Sequence, residues 1–175
     1  MQLNLLLTKL KHLTNILKGS CKYSYSQVGE DIVVNYLFRS INIHQPTYLE
    51  IGSNHPFVDN NTYLFYCKGA TGVCIEPDAE LYGLIRKIRP RDTVINAGIG
   101  LNEDVAEFYS FPHPYTGWNT FSKEEAESRQ KETGIKVKEI RKVKLLKINE
   151  IIQQNFAAAP DFLSIDVEGL DLQHQ

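Results

Sequence analysis

Two short apolar runs that each end beside a carboxylate constrain the fold of this chain most. Residues 47–51 carry Glu50 and run into Gly52, and residues 72–76 end in Glu76. Apolar runs of this length are typical of strands buried in a parallel sheet, and the polar turns mark their carboxyl ends. Because ligands of open parallel sheets bind at those ends, the two runs predict an α/β domain with a nucleoside-binding site.

Helix and strand signals alternate along the rest of the chain. Ser24 and Gln27 have the spacing of a capping box, and apolar residues follow at helical period, which predicts a helix over residues 27–40. Asn60 or Asn61 is expected to cap a short helix. The other predicted helices cover residues 62–68, the stretch from the N-cap Asp78 to Pro90, the stretch from the capping pair Ser122 and Glu125 to Gly134, and residues 148–155. The other predicted strands cover residues 93–96, 105–110, 136–146 and 162–166. This alternation predicts a mostly parallel sheet with helices on both faces.

Composition narrows the class of protein. The chain has 175 residues, 42% of them hydrophobic, and a net charge of −2, which suits one globular domain and argues against a nucleic-acid-binding protein. Residues 136–147 are locally basic, and we expect a solvated strand edge there, where lysines discourage pairing. The three cysteines, Cys21, Cys67 and Cys74, show no CxxC spacing, which argues against a disulfide framework or a zinc site and favours the cytoplasm. Cys74 is expected to be a small core residue.

The first 22 residues differ from the rest. Leu6, Leu10, Leu13 and Leu17 fall on one face of a helix, so residues 1–22 are expected to form an amphipathic extension that packs on the domain or on a partner. Attachment to a membrane surface is the alternative. Lysines interrupt the leucine-rich run, so we expect neither a transmembrane segment nor a signal peptide. Residues 23–175 are expected to form the folded domain.

Polar side chains at the predicted strand ends are the candidate ligand contacts. Glu50 can accept hydrogen bonds from an ammonium group, and Glu76 has two acceptor oxygens for the hydroxyls of a ribose. Asn96, Ala97 and Gly98 can frame an adenine ring. Each has a structural alternative. Glu50 can be a solvated strand end, Glu76 can cap the next helix, and Gly98 can be a turn residue.

The turn after the first strand bears on the kind of cofactor. A dinucleotide-binding loop has the pattern Gly-x-Gly-x-x-Gly, whereas residues 52–57 contain only Gly52. A pyrophosphate is therefore poorly supported at this turn. A cofactor without phosphates, held by acids, fits the residues better. S-adenosylmethionine, which combines a sulfonium, an amino acid and a ribose, is such a cofactor.

Four blocks of the sequence resemble the FkbM family of S-adenosylmethionine-dependent methyltransferases. The block that opens one branch of the family is similar to residues 26–31, Ser-Gln-Val-Gly-Glu-Asp. The first cofactor motif resembles residues 49–54, continued by residues 61–63, and the second resembles residues 72–77. The last hallmark resembles residues 162–169, which end in Asp-Val-Glu-Gly. The resemblance covers the chain from about residue 23 to its C-terminus.

The resemblance implies a Rossmann-like class I methyltransferase fold that acts with S-adenosylmethionine, commonly on hydroxyls of sugars and other secondary metabolites. It places the ribose on Glu76 and the methionine part beside the turn at residues 50–54. Asp166 and Glu168 are candidates for the base that deprotonates the acceptor, or for a pair that holds a divalent metal. The alternative is that Asp166 only lines the cofactor pocket. The predicted cofactor-binding residues are Glu50, Gly52, Ser53, Asn54, Glu76, Pro77, Asn96, Ala97, Gly98 and Asp166.

Two regions are candidates for the acceptor site. The loop of residues 113–120 contains Trp118 and Asn119, whose aromatic and amide groups suit a sugar-like acceptor. A plain ordered loop with Trp118 packed into the core is the alternative. Gln27 is expected either to close the site from the N-terminal side or only to belong to the capped first turn of its helix.

The last block lies close to the end of the sequence. Gly169 is followed by six residues, whereas the family fold has further strands after this block, so we expect the sheet to lack its last strands. That expectation leaves open a second class of function, a non-catalytic remnant that binds a nucleoside or a protein partner. An NAD- or nucleotide-sugar-dependent enzyme is a third class, which the missing glycines disfavour.

Overall fold

The computed structural model describes residues 23–102 and 104–167. In this part of the chain the strands are β1 (Tyr48–Ile51), β2 (Gly72–Ile75), β3 (Thr93–Ile95), β4 (Gly98–Ile99), β5 (Asp104–Ser110), β6 (Glu139–Leu146) and β7 (Phe162–Ile165). The helices are α1 (Glu30–Ser40), α2 (Tyr63–Cys67), α3 (Ala79–Ile88), α4 (Lys123–Thr133) and α5 (Ile148–Asn155), with a 3-10 turn at Thr116–Trp118. Every helix and strand predicted in these ranges is present, with ends shifted by up to three residues. Only β4 was not predicted.

Four strands form a parallel sheet in the order β3-β2-β1-β7. Ile51 at the end of β1 lies opposite Ile75 of β2 and opposite Ile165 of β7. These three strands therefore end at the same level, which brings the residues after them to one edge of the sheet. The parallel α/β architecture predicted from the sequence is confirmed.

Successive residues of this sheet pack on opposite faces. Tyr48 and Cys74 contribute to a core cluster with Phe65 of α2 and with side chains from α1 and α3. Leu49 contributes to a second cluster on the other face, where Ile151 of α5 packs. Because helices cover both faces, the strands are apolar on both sides, which explains their unbroken apolar runs. Cys74 is a core residue, as predicted.

A second, smaller sheet has the order β4-β6-β5 and was not predicted as a separate layer. β6 pairs antiparallel with β5 along its whole length, and its C-terminal end pairs parallel with β4. β6 is the middle strand in this order, but β4 reaches only Leu145 and Leu146. Among the described residues, 139–144 are therefore paired on the β5 side alone, and this basic stretch forms a strand edge as predicted. Lys142 and Lys144 are exposed on one face of β6, and Val143 between them is buried.

α4 packs against the second sheet with the caps that the sequence predicted. Ala126 of α4 forms a small core cluster with Tyr109 and Phe111. The Ser122 hydroxyl accepts a hydrogen bond from the backbone N–H of Glu125 at 3.2 Å. Gly134 ends the helix with a φ of 74°. Both predicted ends of α4 are confirmed.

α1 begins later than predicted, and its capping box is wrong. Gly29, with a φ of 97°, precedes the helix and makes no side-chain cap. The hydroxyls of Ser24 and Ser26 donate instead to the carboxylate of Asp31, at 2.7 and 3.0 Å. Asp31 is 1% exposed, and the segment before α1 is folded over this buried acid. Gln27, which was predicted to begin the helix, therefore lies outside it.

Some predictions concern residues outside the described ranges. They include the amphipathic extension over residues 1–22, and also Cys21 and Glu168. Within the described ranges, none of the helices has the length and apolar character needed to cross a membrane. Cys67 and Cys74 are both free thiols.

Candidate cofactor site

A cavity of about 1150 Å³ lies at the carboxyl edge of the central sheet. Gly52, Glu76 and Asp166, which directly follow β1, β2 and β7, all line it. Phe108 and Phe121 reach it from the side of the second sheet. The cavity is thus a crevice between the two sheets, at the place where open parallel sheets bind ligands. Its volume exceeds the ~300–1,000 Å³ of a typical ligand pocket, which leaves room for a cofactor and an acceptor together.

Glu76 is a deeply buried carboxylate that lines this cavity. Its Oε2 accepts a hydrogen bond from the backbone N–H of Asn54 at 2.7 Å, and its Oε1 accepts one from the N–H of Asp78 at 2.8 Å. Glu76 is 3% exposed. Burial raises its pKa to about 8, although the two N–H groups act in the opposite direction. Each oxygen keeps a further lone pair, so the carboxylate orients the backbone at both turns and can still accept hydrogen bonds from hydroxyls.

Two amide side chains bring unpartnered polar atoms to the cavity. Asn54, at a left-handed φ of 48°, has a buried Oδ1 with no hydrogen-bond partner among the described residues. Asn119 accepts a hydrogen bond from the N–H of Phe111 at 2.7 Å, and its buried Nδ2 likewise has no described partner. A buried polar atom left unpaired costs about 1–3 kcal/mol. Asn54 and Asn119 both line the cavity, so a ligand that reaches these two atoms would find one acceptor and one donor.

Gly52 is required by the close approach of two strands. Its φ is 78°, and a Cβ at this position would collide with the carbonyl group of Asp166. Gly98 is confined in a similar way, because a Cβ there would collide with the side chains of Phe121 and Leu145. Both glycines line the cavity, and both are needed for packing within the protein whether or not a ligand is bound.

Glu50, unlike Glu76, is not among the described residues that line the cavity. Its Oε2 lies 3.2 Å from Nη1 of Arg89 and accepts a hydrogen bond from Asn60 at 3.1 Å. Glu50 is 3% exposed, so the expectation of a solvated strand end is wrong. The protein itself supplies the cation that this carboxylate binds, in place of a ligand's ammonium group.

Arg89 is a fully buried cation that sequence reasoning did not identify. It directly follows α3 and is 0% exposed. Its guanidinium donates hydrogen bonds to Glu50, Asp92, Thr62 and Tyr48, at distances of 2.7–3.2 Å. Nothing local distinguishes this arginine from an exposed one, because all but one of these partners are distant in sequence.

Asn60 connects this buried network to the loop beside the cavity. Its Oδ1 accepts from the N–H groups of Thr62 and Tyr63 at the start of α2, although the N-cap position itself is Thr62 and not Asn60 or Asn61 as predicted. Its Nδ2 donates to the backbone carbonyls of Ser53 and His55, at 3.3 and 3.2 Å. Ser53 is buried and is not among the described cavity residues. Asn60 therefore fixes the backbone on both sides of Asn54.

Asn96 supports the backbone near the cavity. Its Nδ2 donates to the carbonyls of Glu76 and Pro77, at 2.8 and 3.0 Å, and its side chain is not among the described lining residues. Pro77, Ala97 and Gly98 do line the cavity, together with apolar side chains of α3. Two of the three residues predicted to frame an adenine, Ala97 and Gly98, thus lie at the cavity wall, as does Pro77, which was predicted as a cofactor contact.

Asp166 is the carboxylate at the end of β7 that reaches the cavity. Its side chain is exposed, and its N–H donates to the carbonyl of Ile51 at 2.9 Å. In the described ranges, no group of three or more His, Cys, Asp or Glu side chains is placed to hold a metal ion. Glu168, its predicted partner as base or metal ligand, lies outside those ranges. Asp166 is therefore placed to contact a ligand, and its chemical role stays a prediction.

Trp118, predicted in the acceptor wall, packs into the small core of the second sheet. Its ring stacks on Tyr115 at 4.6 Å between centroids and meets Phe111 edge-on at 5.9 Å. It is not among the described lining residues, whereas Thr116 and Asn119 of the same loop are. This is the arrangement described above as the alternative, an ordered loop with its tryptophan packed inward.

The comparison with protein-family models decides the family. The model of the Methyltransferase FkbM domain matches residues 50–173, which is more than half of the 175-residue chain. This chain belongs to the FkbM methyltransferase family. Searches of curated proteins and of solved structures found no match. The FkbM match begins inside β1 and takes in all of β2 and β7, and with them Gly52, Glu76 and Asp166. Gln27, which lines the cavity from the segment before α1, lies outside the match.

This FkbM domain also has cavity residues that sequence reasoning missed. His55 and His113 line the cavity, and neither was predicted as a site residue. The sequence could have indicated both histidines, because His55 directly follows the first cofactor motif and His113 is the first residue of the predicted acceptor loop. Phe108 and Phe121 gave no such signal, because they reach the cavity only through the packing of the second sheet.

Proposed function

We propose that this FkbM-family protein is an S-adenosylmethionine-dependent methyltransferase that methylates a hydroxyl of a small molecule, such as a sugar or another secondary metabolite. The observation that carries the proposal is the buried carboxylate of Glu76, whose two oxygens are oriented by backbone N–H groups. An oriented carboxylate with free lone pairs at this edge of a parallel sheet suits the hydroxyls of a ribose. Family membership supports methyl transfer as the reaction.

Other cavity residues fit the remaining parts of this cofactor. The unpartnered Oδ1 of Asn54 suits an ammonium group, which has only donors to offer. Leu81, Leu84 and Ala97 line the cavity near Glu76 and suit an adenine ring. These cavity residues therefore suit a ligand in which a nucleoside is joined to an amino acid.

The charge of the cavity argues against a phosphate-bearing cofactor. Among the described lining residues, the only lysine or arginine is Lys138. Its Nζ lies 2.8 Å from both carboxylate oxygens of Glu80, so this charge is already engaged. Pyrophosphate sites normally combine basic side chains with a glycine-rich loop, and neither is available here.

When bound, the cofactor would supply an electrophilic methyl group on a sulfonium. The task of the protein is to hold the acceptor oxygen in line with that group and to take up its proton. Asp166 is the candidate base, because it lines the cavity and also reaches solvent, to which the proton can be passed. The alternative from the sequence is a divalent metal held by Asp166 and Glu168.

Calorimetric titration tests the cofactor half of the proposal. We expect S-adenosylmethionine and S-adenosylhomocysteine to bind the purified chain and NAD not to bind. Glu76→Ala should weaken both by more than about tenfold, because it removes the side chain that would accept hydrogen bonds from the ribose hydroxyls. The matched control is Glu127→Ala, which removes an exposed carboxylate of α4 outside the cavity. If neither adenosyl compound binds the wild-type chain, the proposal fails.

Transfer of a labelled methyl group tests the catalytic half. The chain, loaded with methyl-labelled S-adenosylmethionine, is offered a panel of monosaccharides and polyols. Label in one acceptor, lost in Glu76→Ala, supports the enzyme. Binding of the cofactor without transfer to any acceptor favours the non-catalytic alternative.

The proposal includes a cytoplasmic setting. Cys67 and Cys74 are both free, as a reducing compartment would keep them. Fractionation of cells that express the chain tests this point directly.

A further inference from the structure

His55 is the first side chain beyond the turn that orients Glu76, and it lines the same cavity. Its Nδ1 accepts hydrogen bonds from the backbone N–H groups of Val58 and Phe57, at 3.1 and 3.4 Å. The ring also meets the Phe57 ring edge-on, with 4.6 Å between centroids. The backbone carbonyl of His55 is held by Asn60. The position and the orientation of this imidazole are therefore fixed by the protein before any ligand binds.

The contacts of Nδ1 assign the proton of the neutral ring to the other nitrogen. A ring nitrogen that accepts a hydrogen bond carries no proton, so Nε2 carries the N–H. No described residue accepts a hydrogen bond from this N–H. His55 is thus a donor with a fixed direction, and it cannot serve as a base through Nε2 while Nδ1 keeps its backbone contacts.

The charged and titratable groups that face His55 are His113 and Asp59. Burial lowers the pKa of His55 below its ordinary value, a charge on His113 lowers it further, and Asp59 raises it. The surroundings of His55 in the protein therefore favour the neutral, N–H-donating imidazole near pH 7. Lys138 is engaged by Glu80, and His55 and His113 are the histidines among the described residues that line the cavity.

The position of His55 relative to Glu76 indicates which part of a ligand it meets. The N–H of Asn54 donates to Glu76, and His55 follows Asn54 directly in the chain. A ribose on Glu76 would place its 5′ substituent beside this turn. In S-adenosylmethionine that substituent ends in an ammonium group and a carboxylate. Asn54 offers a hydrogen-bond acceptor, which suits the ammonium group, and His55 offers a donor, which suits the carboxylate.

We propose that His55 binds the carboxylate of the cofactor's methionine part through its Nε2–H. The proposal rests on the proposed function, because it takes the cofactor to be S-adenosylmethionine. It goes beyond that function by assigning the amino-acid end of the ligand to a residue that belongs to neither β1 nor β2. It also makes His55 a binding residue that takes no part in proton transfer.

A ligand-truncation cycle tests this assignment without knowledge of the acceptor. S-adenosylhomocysteine carries the carboxylate, and 5′-methylthioadenosine lacks the whole amino-acid group. Both are titrated calorimetrically into the wild-type chain, His55→Ala and His113→Ala. We expect His55→Ala to weaken S-adenosylhomocysteine by roughly 10- to 100-fold, as for loss of a hydrogen bond to a charged group, and to leave 5′-methylthioadenosine within about twofold. His113→Ala tests the rival assignment, because His113 lines the same cavity, and we expect it to weaken S-adenosylhomocysteine less than His55→Ala does.

The outcomes separate this proposal from the proposed function. If S-adenosylhomocysteine does not bind the wild-type chain, the proposed function fails. If it binds but His55→Ala weakens both ligands equally, or neither, the assignment of His55 is overturned. A selective loss in His113→Ala alone would give the carboxylate to His113 and would also overturn it.

Two further measurements keep the test valid if His55→Ala folds poorly. His55→Gln retains an N–H donor on a side chain of similar reach and should keep most of the affinity for S-adenosylhomocysteine. In the wild-type chain, long-range proton–nitrogen NMR spectra report the tautomer of His55. A proton on Nε2 that shifts when S-adenosylhomocysteine is added supports the proposal, and a proton on Nδ1 overturns it.

Discussion

At the scale of single residues, Arg89 shows how this chain keeps a charge in its core. Its guanidinium lies 3.2 Å from Glu50 and 2.8 Å from Asp92, and its carbon lies 5.5 and 5.4 Å from the ring centres of Tyr48 and Tyr66. Two carboxylates and the aromatic faces take the place of water around the cation. The arrangement holds α3, β1 and the segment before β3 together.

Arg89→Ala is expected to lower the free energy of unfolding by about 3–5 kcal/mol, because it leaves two buried carboxylates without their cation. Urea denaturation measures this loss. Arg86→Ala is the matched control, since Arg86 is exposed on the same helix and its hydrogen bond goes to Tyr82. The control should change the stability by less than about 1 kcal/mol. Equal effects of the two substitutions would contradict the role of Arg89.

The raised pKa of Glu76 sets the direction in which the stability of the fold changes with pH. Burial raises its pKa from 4.5 to about 8 in the folded chain. The folded state therefore binds this proton more tightly than the unfolded state does. The contribution of Glu76 to stability is full below its unfolded pKa of 4.5, declines as the pH rises, and is lost by about pH 8. Urea unfolding of the wild type and of Glu76→Gln, compared between about pH 4 and pH 9, should show a decline that the variant lacks.

Glu80 is the control for this experiment, because its shift has the opposite sign. The hydrogen bond from Lys138 lowers the pKa of Glu80. Its contribution is therefore present above its ordinary pKa and is lost as the pH falls. Glu80→Gln should leave the decline toward pH 8 unchanged. Parallel curves for Glu76→Gln and the wild type would refute the assignment to Glu76.

At the scale of elements, the packing of the turn after β1 against the end of β7 depends on the close approach of Gly52 to the carbonyl of Asp166. Gly52→Ala should lower the free energy of unfolding by more than about 1 kcal/mol, because its Cβ would collide with the carbonyl of Asp166 at a positive φ. Gly83→Ala is the opposite case. A Cβ at Gly83, inside α3, meets nothing within 4 Å, so this change should raise stability by about 0.5–1 kcal/mol. Thermal unfolding of both variants checks the signs, and a stable Gly52→Ala would contradict the contact.

The elements that could be predicted are those whose signals are local. The caps at Asp78 and Ser122 were predicted correctly, because each is a hydrogen bond across two or three residues. The start of α1 was predicted wrongly, because Asp31 draws Ser24 and Ser26 out of the helix. The short strand β4 carries no local pattern and exists only through its pairing with β6.

At the scale of the whole molecule, the cavity belongs to neither sheet alone. Strand ends could be predicted from the sequence, and with them the meeting of Gly52, Glu76 and Asp166 at one edge. The second wall could not, because it depends on how the smaller sheet packs against the larger one. The pairing of Glu50 with Arg89 was hidden for the same reason, since 39 residues separate the two partners. Composition and periodicity carry information about the segment in which a residue lies, whereas these contacts join segments that are distant in the sequence.

The position of β7 beside β1 has a consequence for synthesis. The N–H of Thr47, just before β1, donates to Asp161, just before β7, across 114 residues of chain. Pairings this distant form slowly, because a long loop must close first. A ribosome adds roughly 5–20 residues per second, so β1 waits on the order of ten seconds for its neighbour. Until β7 has been made, the side of β1 that it covers has no strand to pair with, so the cavity edge that needs both strands cannot form early in synthesis.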